Sequence, residues 1–142
     1  MTKKIEAEHG VICRLVGERF SYFGWPTLGR MDDGELVMAS SGMRTQHVDP
    51  WGKTVLCTSH DDGKSWSPPQ VLNDTVLDDR DPGIICLGGK RRLLTWIING
   101  RPWWYRGVGE AWHGNETLAT WEPTLSHWTD ETIAKHLGSW VR

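Results

Sequence analysis

Apolar residues in this chain come only in short runs, and each run is closed by Gly, Pro, Asp or Asn. That punctuation is the mark of an all-β fold, because a strand needs only a few residues between turns. It predicts strands at Val11–Val16, Pro26–Met31, Glu35–Ser40, Lys53–Ser59, Gln70–Leu72, Pro82–Leu87 and Arg91–Ile98, with a last one beginning at Ser139. Asp32-Asp33-Gly34 and Gly88-Gly89 read as hairpin turns, where glycine supplies positive φ without a steric cost.

The pattern repeats. Pro26-Thr27-Leu28, a turn and Glu35-Leu36-Val37-Met38 recur as Pro82-Gly83-Ile84, a turn and Arg92-Leu93-Leu94-Thr95, 56 positions later. Two such units suggest successive blades, each opened by an inner strand and its hairpin partner. Residues 99–138 break the rhythm. Asn99 to Gly114 is rich in Gly, Trp and Arg, and reads as a long irregular excursion of the kind that carries function. Thr129 to Gly138 reads as a short helix, with a capping threonine and acidic residues at its start and Gly138 at its end.

Composition narrows the partners. A length of 142 residues with 38% hydrophobic and 24% charged residues suits one globular domain. The formal net charge of -2 gives no reason to expect nucleic acid or an anionic membrane. The ten tryptophans can fill a core, the commoner use of any one of them, or stack on sugar rings, and their number alone does not separate the two. Cys13, Cys57 and Cys86 lie in apolar runs and read as buried free thiols. The histidines share no metal-ligand spacing, and no metal or cofactor is expected. His47, the histidine nearest the candidate site, is expected to be solvent-exposed. The opening MTKKIEAEHG has charge but no apolar stretch behind it, so neither a signal peptide nor a membrane span is expected, and the default compartment is cytoplasmic. Asn115-Glu116-Thr117 has the form of a glycosylation sequon and reads as accidental in such a chain.

The most specific motif is Ser59-His60-Asp61-Asp62-Gly63-Lys64-Ser65-Trp66. Each fixed position has a task in a tight turn. Asp61 can accept backbone N–H groups, Gly63 can take a positive φ, Ser59 and Ser65 can tie the turn by their hydroxyls, and Trp66 can pack beneath it. The segment resembles the Asp-box (BNR repeat) of the sialidase, or neuraminidase, superfamily. In those proteins the box lies on the outer part of a propeller blade, away from the active centre. Asp61 and its neighbour Asp62 are therefore expected to staple a turn rather than to bind metal or transfer protons.

The resemblance extends upstream. Phe23-Gly24-Trp25-Pro26-Thr27-Leu28 is similar to the sialidase segment Arg-Ile-Pro-Ser/Ala-Leu, with Gly24 where the family has a carboxylate-binding arginine. Arg44 falls where several sialidases have a second arginine, and Asp49 where they place the catalytic acid. Arg80-Asp81-Pro82 is similar to the start of the second blade's inner strand. The resemblance implies retaining hydrolysis in which a Tyr, activated by a Glu, attacks the anomeric carbon. Asp49, in a flexible-looking loop near a pocket mouth, would protonate the leaving oxygen and later activate water. Asp49 also reads as an ordinary turn residue before Pro50. Arg44, Arg80 and Asp81 would bind substrate, Arg80 supplying the anion contact that Gly24 lacks; a local ion pair with its acidic neighbours is the other reading of Arg80. Tyr22 and Tyr105 do not match the context of the family's nucleophile.

These readings predict a partial six-bladed sialidase-like propeller, with blade one at about 20–75 and blade two at about 80–142. The strand at Gly138–Arg142 resembles the one before the box, so the chain is expected to be the N-terminal piece of a longer protein. The expected function is glycosidic-bond hydrolysis on sialic acid or a related sugar, with this piece inactive alone. The alternative is a non-catalytic propeller binding glycan or protein. A ribonuclease of the same architecture fits less well, for want of a basic patch or a His/Glu pair.

Overall fold

The computed structural model describes residues 6–142, so the first part of the opening MTKKIEAEHG lies outside the described residues. Two antiparallel sheets dominate. The first takes β1 (Tyr22–Arg30), β2 (Leu36–Arg44), β3 (Lys53–Ser59) and β4 (Gln70–Asn73) in simple meander order. The second orders β5 (Asp78–Cys86), β6 (Arg92–Asn99) and β7 (Gly138–Val141). Between β6 and β7 run α1 (Pro102–Val108), a π-helical turn (Gly109–His113), α2 (Asn115–Ser126) and α3 (Asp130–His136).

Both expected hairpins form. Gly34 takes φ 91° while Met31 and Glu35 close the first turn, and Gly88 and Gly89 take φ 88° and 58° in the second. The two turns lie side by side, because Gly89 N donates to Asp32 Oδ2 at 2.6 Å. β1 and β5, the first strands of the two units, are joined directly: Thr27 Oγ1 donates to the Pro82 carbonyl at 2.7 Å. The sheets approach so closely that a Cβ on Gly29 would stand 2.8 Å from Cys86 Sγ.

β1 and β5 both begin four residues earlier than expected. Proline reads as a strand start, since it cannot donate to the ladder. Here each proline sits in a register shift instead, between Gly24 and Thr27 in β1 and between Arg80 and Gly83 in β5. The residue before each proline carries the distortion, Trp25 at φ 53° and Asp81 at φ 51°. The sequence repeat is thus a repeat of a bulged strand and its hairpin.

Three expectations are corrected. Val11–Val16 forms no strand: no neighbouring strand takes up its backbone groups, and Val11 and Val16 are exposed. Residues 102–126 are helical rather than irregular, opened by Pro102 at the first helical position, where a missing N–H costs nothing. The asparagine of the sequon sits in the first turn of α2. Thr129 caps α3 as expected by accepting Thr132 N, but Leu137 ends that helix, and Gly138 at φ 149° opens β7.

One core joins sheets and helices. Val37, Leu56 and Trp96 from the strands and Leu77 from the loop before β5 pack with Tyr105, Trp121 and Leu125 from the helices. Burial of this apolar surface, at about 25 cal/mol per Å², is what holds the helical layer on the sheets. No described helix is long and apolar enough to cross a membrane.

The Ser59–Trp66 turn joins β3 to β4. Asp61 Oδ1 accepts Ser59 Oγ and Ser65 N, each at 2.8 Å, and Oδ2 accepts Ser65 Oγ at 2.5 Å. Ser59 Oγ accepts Gly63 N at 2.9 Å, and Trp66 Nε1 donates to the Gly63 carbonyl at 3.1 Å. Gly63 holds φ 85°. Asp62 faces outward and pairs with Arg30 at 2.5 Å. The Ser65 hydroxyl and N–H, then Ser59, hold the Asp61 carboxyl down at about 2, against an ordinary 3.8. A depressed carboxylate stabilises the fold above its unfolded value, and the gain is lost as pH falls toward the folded one. Between pH 4 and 2, urea denaturation of the wild type should therefore weaken more steeply than that of Asp61→Asn. Parallel pH profiles would show that the staple contributes nothing.

Candidate functional site

The bulges of β1 and β5 sit at one end of the paired strands, and the charged side chains gather there. At their centre is Arg44, the last residue of β2, which is fully buried. Its guanidinium forks onto Asp78, Nη1 to Oδ1 at 2.7 Å and Nη2 to Oδ2 at 3.3 Å. Nη2 also donates to the Asp49 carbonyl at 3.0 Å. Tyr105 of α1, equally buried, donates its hydroxyl to Asp78 Oδ2. Burial alone would lower the pKa of Arg44, but Asp78 first and Asp49 second reverse this and raise it, so the guanidinium stays charged. Burial pushes the Asp78 carboxyl up, against the pull of Arg44, Arg80 and the Tyr105 hydroxyl. Burial and then Asp78 hold Tyr105 well above its usual value, which keeps it a proton donor in this bond. The cluster leaves no spare room: a Cβ on Gly52 would lie 2.0 Å from Arg44 Nη1 and 2.1 Å from Asp78 Oδ1.

Asp49 does not stand at a pocket mouth. It is fully buried, and its carboxylate staples its own loop, accepting Thr45 N, Thr45 Oγ1 at 2.8 Å and Trp51 N at 3.0 Å. The turn reading of Asp49 describes what its carboxylate does here. Asp79 does the same for the next loop, accepting Asn73 Nδ2 and Thr75 N, each at 2.5 Å.

Arg80 and Asp81 are placed differently. Together with His47, Val48, Ile97, Asn99, Arg101, Trp104 and Trp112 they line a cleft of about 350 Å³. The Arg80 side chain is 12% exposed and that of Asp81 37%. Arg80 Nε donates to Asp81 Oδ2 at 3.2 Å, Nη1 lies 3.6 Å from Asp78 Oδ2, and the guanidinium stands 5.1 Å from the Trp25 ring centre. Arg80 therefore makes the local ion pairs with its acidic neighbours, and it also lines the cleft. The His47 ring packs at a tilt against Trp25, with centres 4.8 Å apart, and meets the Tyr22 hydroxyl at 3.2 Å; it is exposed, as expected, yet lines the cleft. Asp81 Oδ1 is buried and has no hydrogen-bond partner, which leaves an acceptor to be satisfied. Two of the non-glycine residues with positive φ, Trp25 and Asp81, stand here, and strain of this kind gathers at binding sites.

The structure thus brings Arg80 and Asp81 to the cleft and places Arg44 and Asp49 beneath it. None of Ser59, Asp61, Gly63, Ser65 and Trp66 lines it. Trp25, Arg101, Trp104 and Trp112 were missed as site residues, although the Gly/Trp/Arg excursion was the segment marked for function. A larger pocket of about 500 Å³ lies against Trp51, Leu77, Pro123 and Trp128. Its polar groups are already occupied: Trp51 Nε1 donates to Thr124 Oγ1, Trp128 Nε1 to the Val76 carbonyl, and Lys53 pairs with Asp74. A specific ligand needs convergent polar groups beside apolar walls, and the cleft brings together Arg80, Asp81, Asn99 and Arg101 with Trp104 and Trp112. Among the described residues no group of three or more His, Cys, Asp or Glu side chains is arranged to hold a metal ion. No protein-family model matches the chain, and no curated protein matches it either.

Two measurements separate scaffold from surface. Arg44→Met leaves Asp78 buried without its main partner and should cost about 3–5 kcal/mol in urea unfolding. Arg80→Ala should leave the unfolding midpoint close to wild type; equal losses would put both arginines in the scaffold. Asp79 supplies a pH signature. Burial lifts its carboxyl to about 6 from 3.8. A raised carboxyl favours the fold below its unfolded value, and that contribution is lost as pH rises through the folded one. Stability should therefore fall between pH 4 and 6 by more in the wild type than in Asp79→Asn.

Proposed function

We propose that the two sheets are neighbouring blades of a sialidase-like propeller, and that the cleft binds a carboxylated sugar, sialic acid or a close relative, in a glycoside hydrolase. The observation that carries this reading is the cleft's lining. Arg80 and Arg101 supply cations, Asp81 and Asn99 supply acceptors and a donor, and Trp104 and Trp112 supply flat apolar faces. A guanidinium suits a carboxylate because its fork matches both oxygens. Carboxylate and amide oxygens suit ring hydroxyls, and indole faces suit the C–H surface of a sugar ring. Arg80 takes the anion contact for which Gly24 has no side chain. The Asp-box turn and the repeated bulged hairpin support the blade assignment.

A specific observation favours a second reading, a non-catalytic glycan-binding propeller of the same architecture. Asp49, the family's acid by position, has its oxygens committed to Thr45 and Trp51. Neither tyrosine stands at the cleft beside a glutamate base: Tyr22 meets His47, and Tyr105 is buried on Asp78.

Titration with N-acetylneuraminic acid, followed by indole fluorescence and by chemical shifts of Trp104 and Trp112, tests the binding. Saturable changes are expected, with affinity at least about tenfold weaker in Arg80→Ala at unchanged fold, a difference of about 1.4 kcal/mol. An unperturbed spectrum at high sugar concentration sinks the reading. This chain by itself is expected to release no aryl alcohol from an aryl α-sialoside. Turnover that disappears in Asp49→Asn, with the fold intact, would instead restore Asp49 as the acid.

A further inference from the structure

The first sheet has two faces, and the common core accounts for one of them. Val37, Ala39 and Leu56 turn inward to that core. Alternation along the strands sends Met38, Val55 and Cys57 to the other face, where Met38 and Cys57 are direct cross-strand partners. All three are buried nevertheless. Part of their cover is the chain before β1, which forms neither helix nor strand between residues 6 and 21. Val11, Ile12 and Cys13 line an apolar cavity of about 280 Å³ together with Phe23, Pro26 and Met38. The segment that the sheets do not take in as a strand thus serves as a lid over one of them. Under it the Cys13 and Cys57 thiols lie within hydrogen-bonding reach of each other. Both are free, Cys57 fully buried and Cys13 half-buried. The third cysteine, Cys86, sits apart from them, against Gly29 where the two sheets meet.

We infer that Cys13 and Cys57 form a thiol–disulfide exchange site, whose oxidised form fastens the lid to the first sheet and whose reduced form leaves it held by packing alone. Nothing in this depends on what the cleft binds. The oxidant is a small disulfide, RSSR. Cys13, the accessible thiol, gives up its proton and attacks one sulfur of the oxidant. The S–S bond breaks, and one RS⁻ leaves and takes up a proton. Cys57 then gives up its proton and attacks the Cys13 sulfur of the mixed disulfide, expelling the second RS⁻, which leaves as RSH. Two electrons and two protons pass from the protein to the oxidant, and one disulfide replaces another. Burial raises both thiols, Cys57 to about 11 with Cys13 adding to the rise. Both rest protonated, which makes the pair slow to exchange and unsuited to nucleophilic catalysis. The bridge closes a ring from residue 13 to residue 57, and so removes freedom from the open lid rather than adding a contact to the closed one.

The test treats the whole chain with glutathione disulfide or with dithiothreitol. Oxidation should leave only Cys86 open to maleimide after denaturation, with Cys13 and Cys57 in one cross-linked pair of peptides. Arg14 is exposed, and native trypsin cleavage after it should be at least about tenfold slower in the oxidised chain, because cleavage follows the population of the open lid. Cys13→Ser, at a half-buried position, should abolish the cross-link and the protection together. Cys86→Ala should retain both. A cross-link that includes Cys86, a glutathione adduct that stays on Cys13 while Cys57 remains free, or no reaction at all overturns the exchange site. A Cys13–Cys57 bridge without slower cleavage overturns its role as a fastening.

Discussion

The rest of the structure depends on one buried ion pair, Arg44 with Asp78. It joins the end of β2 to the start of β5, and thereby ties the first sheet to the second. Through the Asp49 carbonyl it also fixes the loop before β3, and through Tyr105 it anchors α1. Two charges taken out of water are a costly way to join two sheets. Their attraction offsets the desolvation only when the geometry is good and the remaining polar positions are filled. Here the fork is bidentate, a hydroxyl and a backbone carbonyl fill further positions, and Gly52 leaves the space they need, while Arg44 Nε is left without a partner. The pair fixes the arrangement of the elements more than it adds to net stability, because any other packing of β2, β5 and α1 strands a charge.

The same carboxylate reaches the cleft. Asp78 Oδ2 lies 3.6 Å from Arg80, so one buried acid orients two arginines, one sealed in and one presented. Arg80 is further held by Asp81 and by the face of Trp25, both at bulged positions of their strands. The repeated X-Pro bulge thus shapes the wall of the cleft. It turns Trp25 and Asp81 out of the regular alternation of their strands and toward the same guanidinium. Strain at φ 53° and 51° is tolerated there because pairing with β2 and β6 resumes on both sides of each bulge.

Much of this was legible in the residues. The turns at Asp32-Asp33-Gly34 and Gly88-Gly89 and the strand Lys53–Ser59 were legible because turn chemistry and alternation are local properties. The Ser59–Trp66 staple was legible for the same reason, since every bond in it joins residues of one short segment. What escaped depends on distant partners. Val11–Val16 has the residues of a strand, and only the absence of a neighbouring edge denies it the form. Residues 102–126 carry Gly, Trp and a Pro inside α2, which all argue against helix locally; packing of Tyr105, Trp121 and Leu125 into the common core overrides them. Arg44 and Arg80 show how far spacing reaches. Both precede or follow acidic residues in loops or strand ends, and nothing local reveals that Asp78 buries one and only steadies the other.

The sharing of Asp78 also shapes how a ligand is felt. An anion meeting Arg80 competes with Asp78 and Asp81 for the same guanidinium, and the cost of that competition falls with the distance already present, 3.6 Å to Asp78 against 3.2 Å to Asp81. Asp78 retains Arg44 and Tyr105 when Arg80 turns to a ligand, so the buried pair survives binding and the sheets need not move. Asp81 is the group left under-bonded, with Oδ1 already lacking a partner. A ligand that brings a hydroxyl donor beside its carboxylate satisfies both residues at once, whereas a bare anion satisfies only one. On the proposed reading of the cleft, a molecule carrying acid and hydroxyl on one ring is the better ligand than a simple carboxylate of equal charge.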